Sequence, residues 1–115
     1  MNTQDITLKE IKVDKEYHDY AICVGSTQVG IFLTVEDETK LYNFGREITV
    51  YEPYQGQGIG TAVINSFLLS HAKPFRFCIA TNSCKALDFW QFYLQKTTFP
   101  WVHLRGEIYE ITAQA

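Results

Sequence analysis

The strongest constraint on the fold is a glycine-rich stretch that separates a β-type segment from a helical one. An apolar run ends at Val50, Pro53 favours a turn, and three alternate glycines then precede residues with helical spacing. Glycine lets a backbone approach a ligand closely, and the free amides of an opening helix favour negative charge. We therefore interpret residues 55–60 as a loop that binds phosphate oxygens.

Two familiar nucleotide motifs do not fit this loop. A dinucleotide fingerprint needs the spacing G-x-G-x-x-G, whereas the glycines here lie at 56, 58 and 60 and Thr61 follows. A P-loop needs a lysine directly after its last glycine, and none is present. An acyl-coenzyme A pyrophosphate loop and a glycine turn without a ligand stay open at this point.

Composition limits the class of protein. With 115 residues the chain is predicted to form a single domain over 1–115, and its net charge of −3 argues against a nucleic-acid binder. No apolar run has transmembrane length and the N-terminus is unlike a signal peptide, so no membrane partner is expected. The three cysteines form no CxxC pair, which favours a cytoplasmic location. The histidine spacing predicts no metal site.

Hydrophobic periodicity predicts an α+β fold. Period-two alternation dominates the first half, and helices alternate with strands in the second. The predicted strands are 6–13, 17–24, 29–35, 41–51, 75–80, 101–104 and 107–112, and the predicted helices are 58–71 and 84–96. The order β-β-β-β-α-β-α-β-β predicts a mixed, mostly antiparallel sheet in which strands 41–51 and 75–80 run parallel through a right-handed crossover. Gly45 is predicted to kink its strand.

The glycine loop also resembles a known family. The sequence Gln55-Gly56-Gln57-Gly58-Ile59-Gly60 is similar to the Q/R-x-x-G-x-G/A signature of the GNAT N-acetyltransferases. Val50 and Pro53 stand where that family has its V-x-x-P lead-in. Further along, Asn82, Ala86 and Phe89-Trp90 resemble a family helix motif, with one extra residue after the asparagine. The predicted element order after Tyr17 matches the family as well.

The resemblance implies a cofactor, acetyl-coenzyme A, bound where two parallel strands splay apart. Those strands would be the ones that end near Tyr51 and Ala80. Backbone groups of Ile48, Thr49 and Val50 would pair with the pantetheine. The positions assigned to the rest of the cofactor are Gln55, Gly56, Gln57, Gly58, Ile59, Gly60, Thr61 and Asn82. Because Gln57 is neutral where many relatives carry a basic residue, binding would depend mainly on amides and the helix dipole.

The chain departs from the family pattern between its first two strands. Relatives usually have two helices there, which wall part of the acceptor site, whereas only a short polar turn at 14–16 intervenes here. The departure resembles minimal members of the superfamily. It predicts an open acceptor site, or one completed by the acceptor or by a second subunit, so a macromolecular acceptor or a homodimer is favoured.

Acetyl transfer to an amine needs a proton acceptor, and the leaving thiolate needs a proton. The family's usual glutamate base falls on Phe44 here, so Glu47 is the candidate, provided that Gly45 marks a bulge that turns it inward. An ordered water could replace it. The family's usual acid position falls on Trp90, which leaves Tyr93, nearly on the same helical face.

Cys84 offers a different route. It lies at a predicted helix N-terminus, which lowers the pKa of a thiol, and minimal relatives have a cysteine in a comparable place. An acyl-cysteine intermediate is therefore an alternative to direct transfer, although a small capping-region residue is the simpler interpretation.

The sequence thus predicts an N-acetyltransferase that moves an acetyl group from acetyl-coenzyme A directly to a primary amine of a small molecule, a peptide or a protein lysine. The alternative is a non-catalytic coenzyme A-binding module with a regulatory or interaction role. Phe44 and Trp90 motivate that alternative, because they occupy positions where relatives place their chemistry.

Overall fold

A computed structural model describes residues 5–43, 48–71, 73–78 and 84–113, with the backbone alone for 84–88. The strands are β1 Ile6–Asp14, β2 Tyr17–Val24, β3 Thr27–Glu36, β4 Leu41–Tyr42, β5 Ile48–Val50, β6 Phe75–Cys78, β7 Trp101–Arg105 and β8 Ile108–Ile111. The helices are α1 Ile59–Ser70 and α2 Cys84–Lys96, with a short 3-10 turn at Glu52–Tyr54. The predicted α+β class and both predicted helices are confirmed.

The strands form one mixed sheet of eight. Its order is β1-β2-β3-β4-β6-β8-β7, and β5 also pairs with β3. All described pairs are antiparallel except β4 and β6, which run parallel. The predicted parallel neighbours on either side of α1 are therefore confirmed, since the crossover through α1 returns the chain beside β4.

The region predicted as one strand over 41–51 contains two described strands, β4 and β5, and Asn43 directly after β4 is not part of a strand. Both pair with β3, but β4 lies against Val35 and Glu36 whereas β5 lies against 30–32. The predicted kink at Gly45 lies in 44–47, outside the described residues. The two strands nevertheless continue along the same edge of β3, as one interrupted strand would.

The first hairpin shows which face of β1 is buried, a point that its sequence pattern left ambiguous. Ile6 and Leu8 pack against the core, whereas Ile11 and Val13 are each 52% exposed. A bulge between Glu10 and Lys12 shifts the register between these two halves of the strand. Strict alternation therefore fails at the bulge, as an extra residue in one strand requires.

Both helices pack on the same face of the sheet. Phe67 of α1 lies edge-on to Phe75, with ring centroids 5.6 Å apart, and Trp90 of α2 stacks on Phe77 at 4.1 Å. Phe75 and Phe77 are two positions apart on β6, so they project from one face of the sheet. Each such aromatic, once buried, contributes roughly 1.5–3 kcal/mol through the hydrophobic effect. This shared aromatic layer fixes where α1 begins, and hence where the glycine loop lies.

Neither helix, within the described ranges, is long and apolar enough to cross a membrane.

Candidate cofactor site

The sheet opens where β4 gives way to β5. Leu41 and Tyr42 pair with Phe75 and Arg76 of β6, and the amide of Asn43 donates to the Arg76 carbonyl at 3.0 Å. Beyond that point β5 pairs with β3 alone among the described strands. The edge of β5 that does not face β3 therefore has no strand partner in the described part of the sheet.

Asn43 lies directly after β4 and bonds to the strands on both sides of it, a role that its sequence context does not predict. It is only 6% exposed, and its Nδ2 donates to the Leu33 carbonyl at 2.6 Å while its amide is bonded to β6. Asn43 thus joins the strands on both sides of β4. The only signal in the sequence is a single amide side chain that interrupts an apolar run.

The chain leaves β5 through a tightly bonded turn. The amide of Tyr51 donates to the Val29 carbonyl at 2.8 Å, and the amide of Gln55 donates to the Glu52 carbonyl at 3.2 Å. The Gln55 side chain folds back and donates to the Val50 carbonyl at 2.9 Å. Gln55 therefore positions the loop against β5, whereas the sequence analysis assigned it only to the cofactor.

Two of the three glycines satisfy a backbone requirement. Gly56 and Gly58 have φ values of +77° and +78°, in the left-handed region that other residues adopt at a cost. A Cβ added to either would meet no atom within 4 Å, so the space above them is open. Gln57 between them is exposed. The loop therefore presents its backbone, rather than packed side chains, to that space.

Gly58 is also the N-cap of α1. The amide of Ala62 donates to the Gly58 carbonyl at 3.1 Å, so the amides of Ile59, Gly60 and Thr61 precede the first intrahelical bond. Gly58 makes no side-chain cap, and the first turn contains no acidic residue. The partial positive charge of the described helix end is not offset by a local carboxylate, which favours an anion there.

Gly60 has a different role. A Cβ at this position would lie 2.8 Å from Cε1 of Phe89, closer than carbon atoms pack. Phe89 in turn contacts the rings of Trp90 and Tyr93. The third glycine of the signature therefore allows α2 to pack against the first turn of α1, and it keeps its amide available as well.

Tyr93, the predicted acid, is buried between the two helices. It is 1% exposed, and its hydroxyl donates to Oδ1 of Asn65 at 2.7 Å. Burial raises the pKa of Tyr93, and a hydrogen bond with Thr97 offsets part of that rise. The residue is therefore protonated at neutral pH, as an acid must be, but in this structure its proton is bonded to α1. Its catalytic role stays a prediction.

Other predicted site residues with reactive or polar side chains include Glu47, Asn82 and Cys84. Glu47 and Asn82 lie outside the described residues. Cys84 is the first residue of α2, as predicted, but its side chain is outside them too. Cys78 of β6 lies near the opening, and burial, together with the Glu107 carboxylate 3.7 Å from its sulfur, raises the pKa of its thiol. No described group of His, Cys, Asp and Glu side chains could hold a metal ion.

A polar cluster lies at the opposite end of α1. Glu36 accepts hydrogen bonds from the hydroxyls of Tyr20 and Thr34, each at 2.7 Å, and its other oxygen lies 3.5 Å from Nε2 of His71. Because α1 has 12 residues, it is about 18 Å long, so this cluster is well separated from the glycine loop. It ties the end of the helix to β3 and contributes no group to the cofactor site.

No protein-family model matches the sequence, and no curated protein matches it significantly. Solved structures do match. A GNAT-family acetyltransferase from Elizabethkingia anophelis with acetyl-CoA bound is similar over 93% of this chain and 95% of that one, with a TM-score of 0.60 and 14% identity. A protein from E. coli described as an N-acetyltransferase, bound to coenzyme A, is similar over 90% and 77%, with a TM-score of 0.66 and 13% identity.

A third structure, a protein from Bacteroides thetaiotaomicron described as a GNAT-family acetyltransferase, is similar over 84% of this chain with a TM-score of 0.62 and 11% identity. The chain spans 60% of the length of that protein. At these identities the likeness concerns the arrangement of helices and strands, and the chemistry has to be argued from the residues described above.

Proposed function

The chain has the fold of the GNAT acetyltransferases, and on that premise we propose that it transfers an acetyl group from acetyl-coenzyme A to a primary amine. One observation carries the proposal: an edge of β5 without a strand partner among the described residues leads into a loop whose left-handed glycines and first-turn helix amides suit a pyrophosphate. An extended pantetheine and a diphosphate are joined in the same order within coenzyme A. We infer that the acceptor is a small molecule, a peptide or a protein lysine.

The pyrophosphate would be held by the amides of Gly58, Ile59 and Gly60, at the positive end of α1. The pantetheine would add to the sheet beside Ile48–Val50, with its amides bonded to backbone groups of β5 other than the Val50 carbonyl, which already accepts from Gln55. Gln57 is neutral, so the amides and the helix dipole supply most of the attraction for the phosphates. Thr61 belongs to the first turn of α1, and we assign it to the cofactor as well.

The reaction itself needs few protein groups. The amine nitrogen attacks the thioester carbonyl, the new C–N bond forms as the C–S bond breaks, and the proton lost by the amine is balanced by one gained by the thiolate. In this proposal Tyr93 supplies the second proton after its hydroxyl leaves Asn65, and Glu47 or a water accepts the first. Cys84 would act only in the rival route, through an acyl-cysteine.

Calorimetry with acetyl-coenzyme A tests the cofactor site. We expect binding at micromolar concentrations for the natural chain and its loss in Gly58→Val, because the new side chain would occupy the space where the phosphates approach. Gly25→Val is the matched control, since Gly25 also has a positive φ and open surroundings but lies in the turn between β2 and β3, outside the glycine loop. Equal affinity in both variants would refute the loop assignment.

Thiol release measured across a panel of amines and lysine peptides tests the chemistry. Turnover that is lost in Tyr93→Phe but kept in Cys84→Ala supports direct transfer with a tyrosine acid. Loss in Cys84→Ala, with an acetyl adduct on Cys84 found by mass spectrometry, would replace this mechanism with the acyl-cysteine route. Far-UV circular dichroism of each variant establishes that the loss is not one of folding.

A coenzyme A-binding module without catalysis is the second candidate. It is supported by Trp90, which stacks on Phe77 where the resemblance places an acid, and by the bond that occupies the Tyr93 hydroxyl. Tight cofactor binding with no turnover across the amine panel would favour it.

We also propose a reducing, cytoplasmic setting, which the free thiols of Cys23 and Cys78 support.

A further inference from the structure

Strand β3 is apolar on both sides of the sheet. Phe32 projects towards the helices, because its ring centroid lies 5.0 Å from that of Phe67 in α1. The alternate residues Ile31, Leu33 and Val35 therefore project from the other side. An antiparallel sheet with one face in water usually alternates apolar and polar residues, whereas a strand that is apolar on both faces is typical of a sheet covered on both sides. The sequence of β3 thus suits a strand whose second face is covered as well.

The strands beside β3 extend this apolar surface. Ala21 of β2 lies beside Ile31, and Tyr42 of β4 lies beside Val35. Directly paired residues project from the same side of a sheet. Both helices pack on the opposite side, against aromatic residues of β6. We call the surface made by Ala21, Ile31, Leu33, Val35 and Tyr42 the helix-free face, since neither described helix packs on it. A contiguous apolar surface of this kind marks an interaction site.

Charged residues border the helix-free face on both sides. On one side, Lys12 of β1 pairs with Asp19 of β2, and Lys9 projects from the same side of β1. On the other side, Arg76 of β6 pairs with Glu110 of β8, and its Nε donates to the carboxylate at 2.9 Å. Both pairs continue rows of directly paired residues that cross the helix-free face. The border therefore has two lysines on β1 and a carboxylate on β8.

We propose that the helix-free face is the interface of a homodimer, in which the sheets of two copies pack face to face about a two-fold axis. An axis that runs along the strands between β3 and β4 places β1 of one copy over β8 of the other, and β2 over β6. The lysines of β1 then lie on the same side of the interface as Glu110 of the second copy, and Asp19 on the same side as Arg76. Opposite charges thus meet around an apolar centre, which is the self-complementarity that a two-fold interface needs.

The helix-free face and its border are large enough for a stable dimer. From β1 to β8 they span six strands, or about 29 Å, and the rows of Ile31, Leu33 and Val35 extend about 20 Å along them. Each copy would contribute about 600 Å², and the pair about 1,200 Å², which is the lower end of the range for specific interfaces. An extended peptide adds to the edge of a sheet, whereas a broad sheet face packs against another sheet. A second copy of this chain supplies such a sheet together with the complementary charges.

Sedimentation equilibrium across a range of protein concentrations tests the dimer. We expect the mass of the natural chain to rise from 13.3 kDa towards twice that value at micromolar concentrations. Leu33→Lys should raise the dissociation constant at least about tenfold, because β3 lies beside the axis and the two new ammonium groups would be close together. Leu69→Lys is the matched control and should keep the dimer, since Leu69 is 70% exposed on α1, on the other side of the sheet.

Two further variants separate lost association from lost folding. Leu33→Thr keeps a residue that strands favour, so we expect an unchanged far-UV circular dichroism spectrum and a weaker dimer. Lys9→Glu combined with Lys12→Glu changes only exposed side chains, and it should weaken the dimer more at low ionic strength than at high. Gly58→Val should keep the dimer, because the inference does not depend on the proposed function or on the glycine loop.

Three outcomes would overturn the proposal. A natural chain that stays at 13.3 kDa up to about 100 μM has no such dimer. A dimer that both Leu33 variants leave unchanged lies on another surface. A monomeric natural chain that gains mass only when a peptide acceptor is added has a different occupant on this face.

Discussion

The contact between Gly60 and Phe89 predicts that a side chain at position 60 disturbs the packing of α2 on α1, whereas Gly56 and Gly58 are needed for their backbone conformation. In Gly60→Ala the new methyl carbon would lie 2.8 Å from Cε1 and 3.3 Å from Cζ of Phe89, so the ring or the helix must move. Such overpacking costs roughly 1–3 kcal/mol. Alanine recovers up to about 1 kcal/mol of helix propensity over glycine. We expect a net loss of about 1 kcal/mol, or about 4 °C in Tm for a chain of this size.

A second substitution shows whether the clash is the cause. Phe89→Leu removes the two ring atoms that the methyl group would meet, although it lowers stability by itself. In that background Gly60→Ala should be neutral or stabilising by up to about 1 kcal/mol, because only the helix propensity remains. The coupling energy of the double-mutant cycle should therefore be about 1–3 kcal/mol.

Urea unfolding followed by tryptophan fluorescence measures all four corners of this cycle. Gly25→Ala, made with and without Phe89→Leu, is the control: its φ of +60° predicts a loss of about 1–2 kcal/mol from backbone strain but no coupling with Phe89. A coupling energy for Gly60 below about 0.3 kcal/mol, the scatter of independent sites, would refute the packing argument. Acetyl-coenzyme A affinity should survive Gly60→Ala, since the amide is retained.

Three further predictions concern residues outside the glycine loop. Asn43→Ala should lower the free energy of unfolding, measured with urea, by about 1–3 kcal/mol, because the buried Leu33 carbonyl of β3 loses its donor. Unchanged stability would contradict the role of Asn43 in joining β3 and β6. Burial and the Glu36 carboxylate raise the pKa of Tyr20 well above its usual range. The contribution of the protonated Tyr20 side chain to the free energy of unfolding is therefore complete below about pH 10. It declines at higher pH, because the tyrosine ionises first in the unfolded chain. The decline in urea stability between pH 8 and pH 11 should be smaller in Tyr20→Phe. Because burial and Glu107 raise the pKa of the Cys78 thiol, iodoacetamide should modify it slowly at neutral pH and faster in Glu107→Gln, as peptide mass mapping can measure.

Much of the fold could be predicted because it is encoded locally. The helix predicted at 84–96 is observed at Cys84–Lys96, and the one predicted at 58–71 is observed at Ile59–Ser70. Helical spacing of apolar residues and a glycine or proline at the ends determine such segments over one or two turns. The turn between β2 and β3 likewise contains Gly25 with a positive φ, a conformation that glycine adopts readily.

The interrupted strand over 41–51 could not be predicted in the same way. Its apolar character is continuous enough to suggest a single strand. Local residues do not reveal that, in the described part of the sheet, β6 pairs with Leu41 and Tyr42 but not with β5. That difference depends on contacts across more than thirty positions. The same is true of Asn43, whose partners lie on β3 and β6.

The sequence by itself determined that a loop of alternate glycines opens a helix, and hence that its amides can hold an anion, because turn chemistry and helix ends depend on neighbouring residues. Only the tertiary structure decided that Gly56 and Gly58 serve the backbone whereas Gly60 makes room for Phe89. It also decided that the proton of Tyr93 is bonded to Asn65. These roles depend on which side chains the fold brings together from 28 or 29 positions away, and a packed interior leaves little freedom at such contacts.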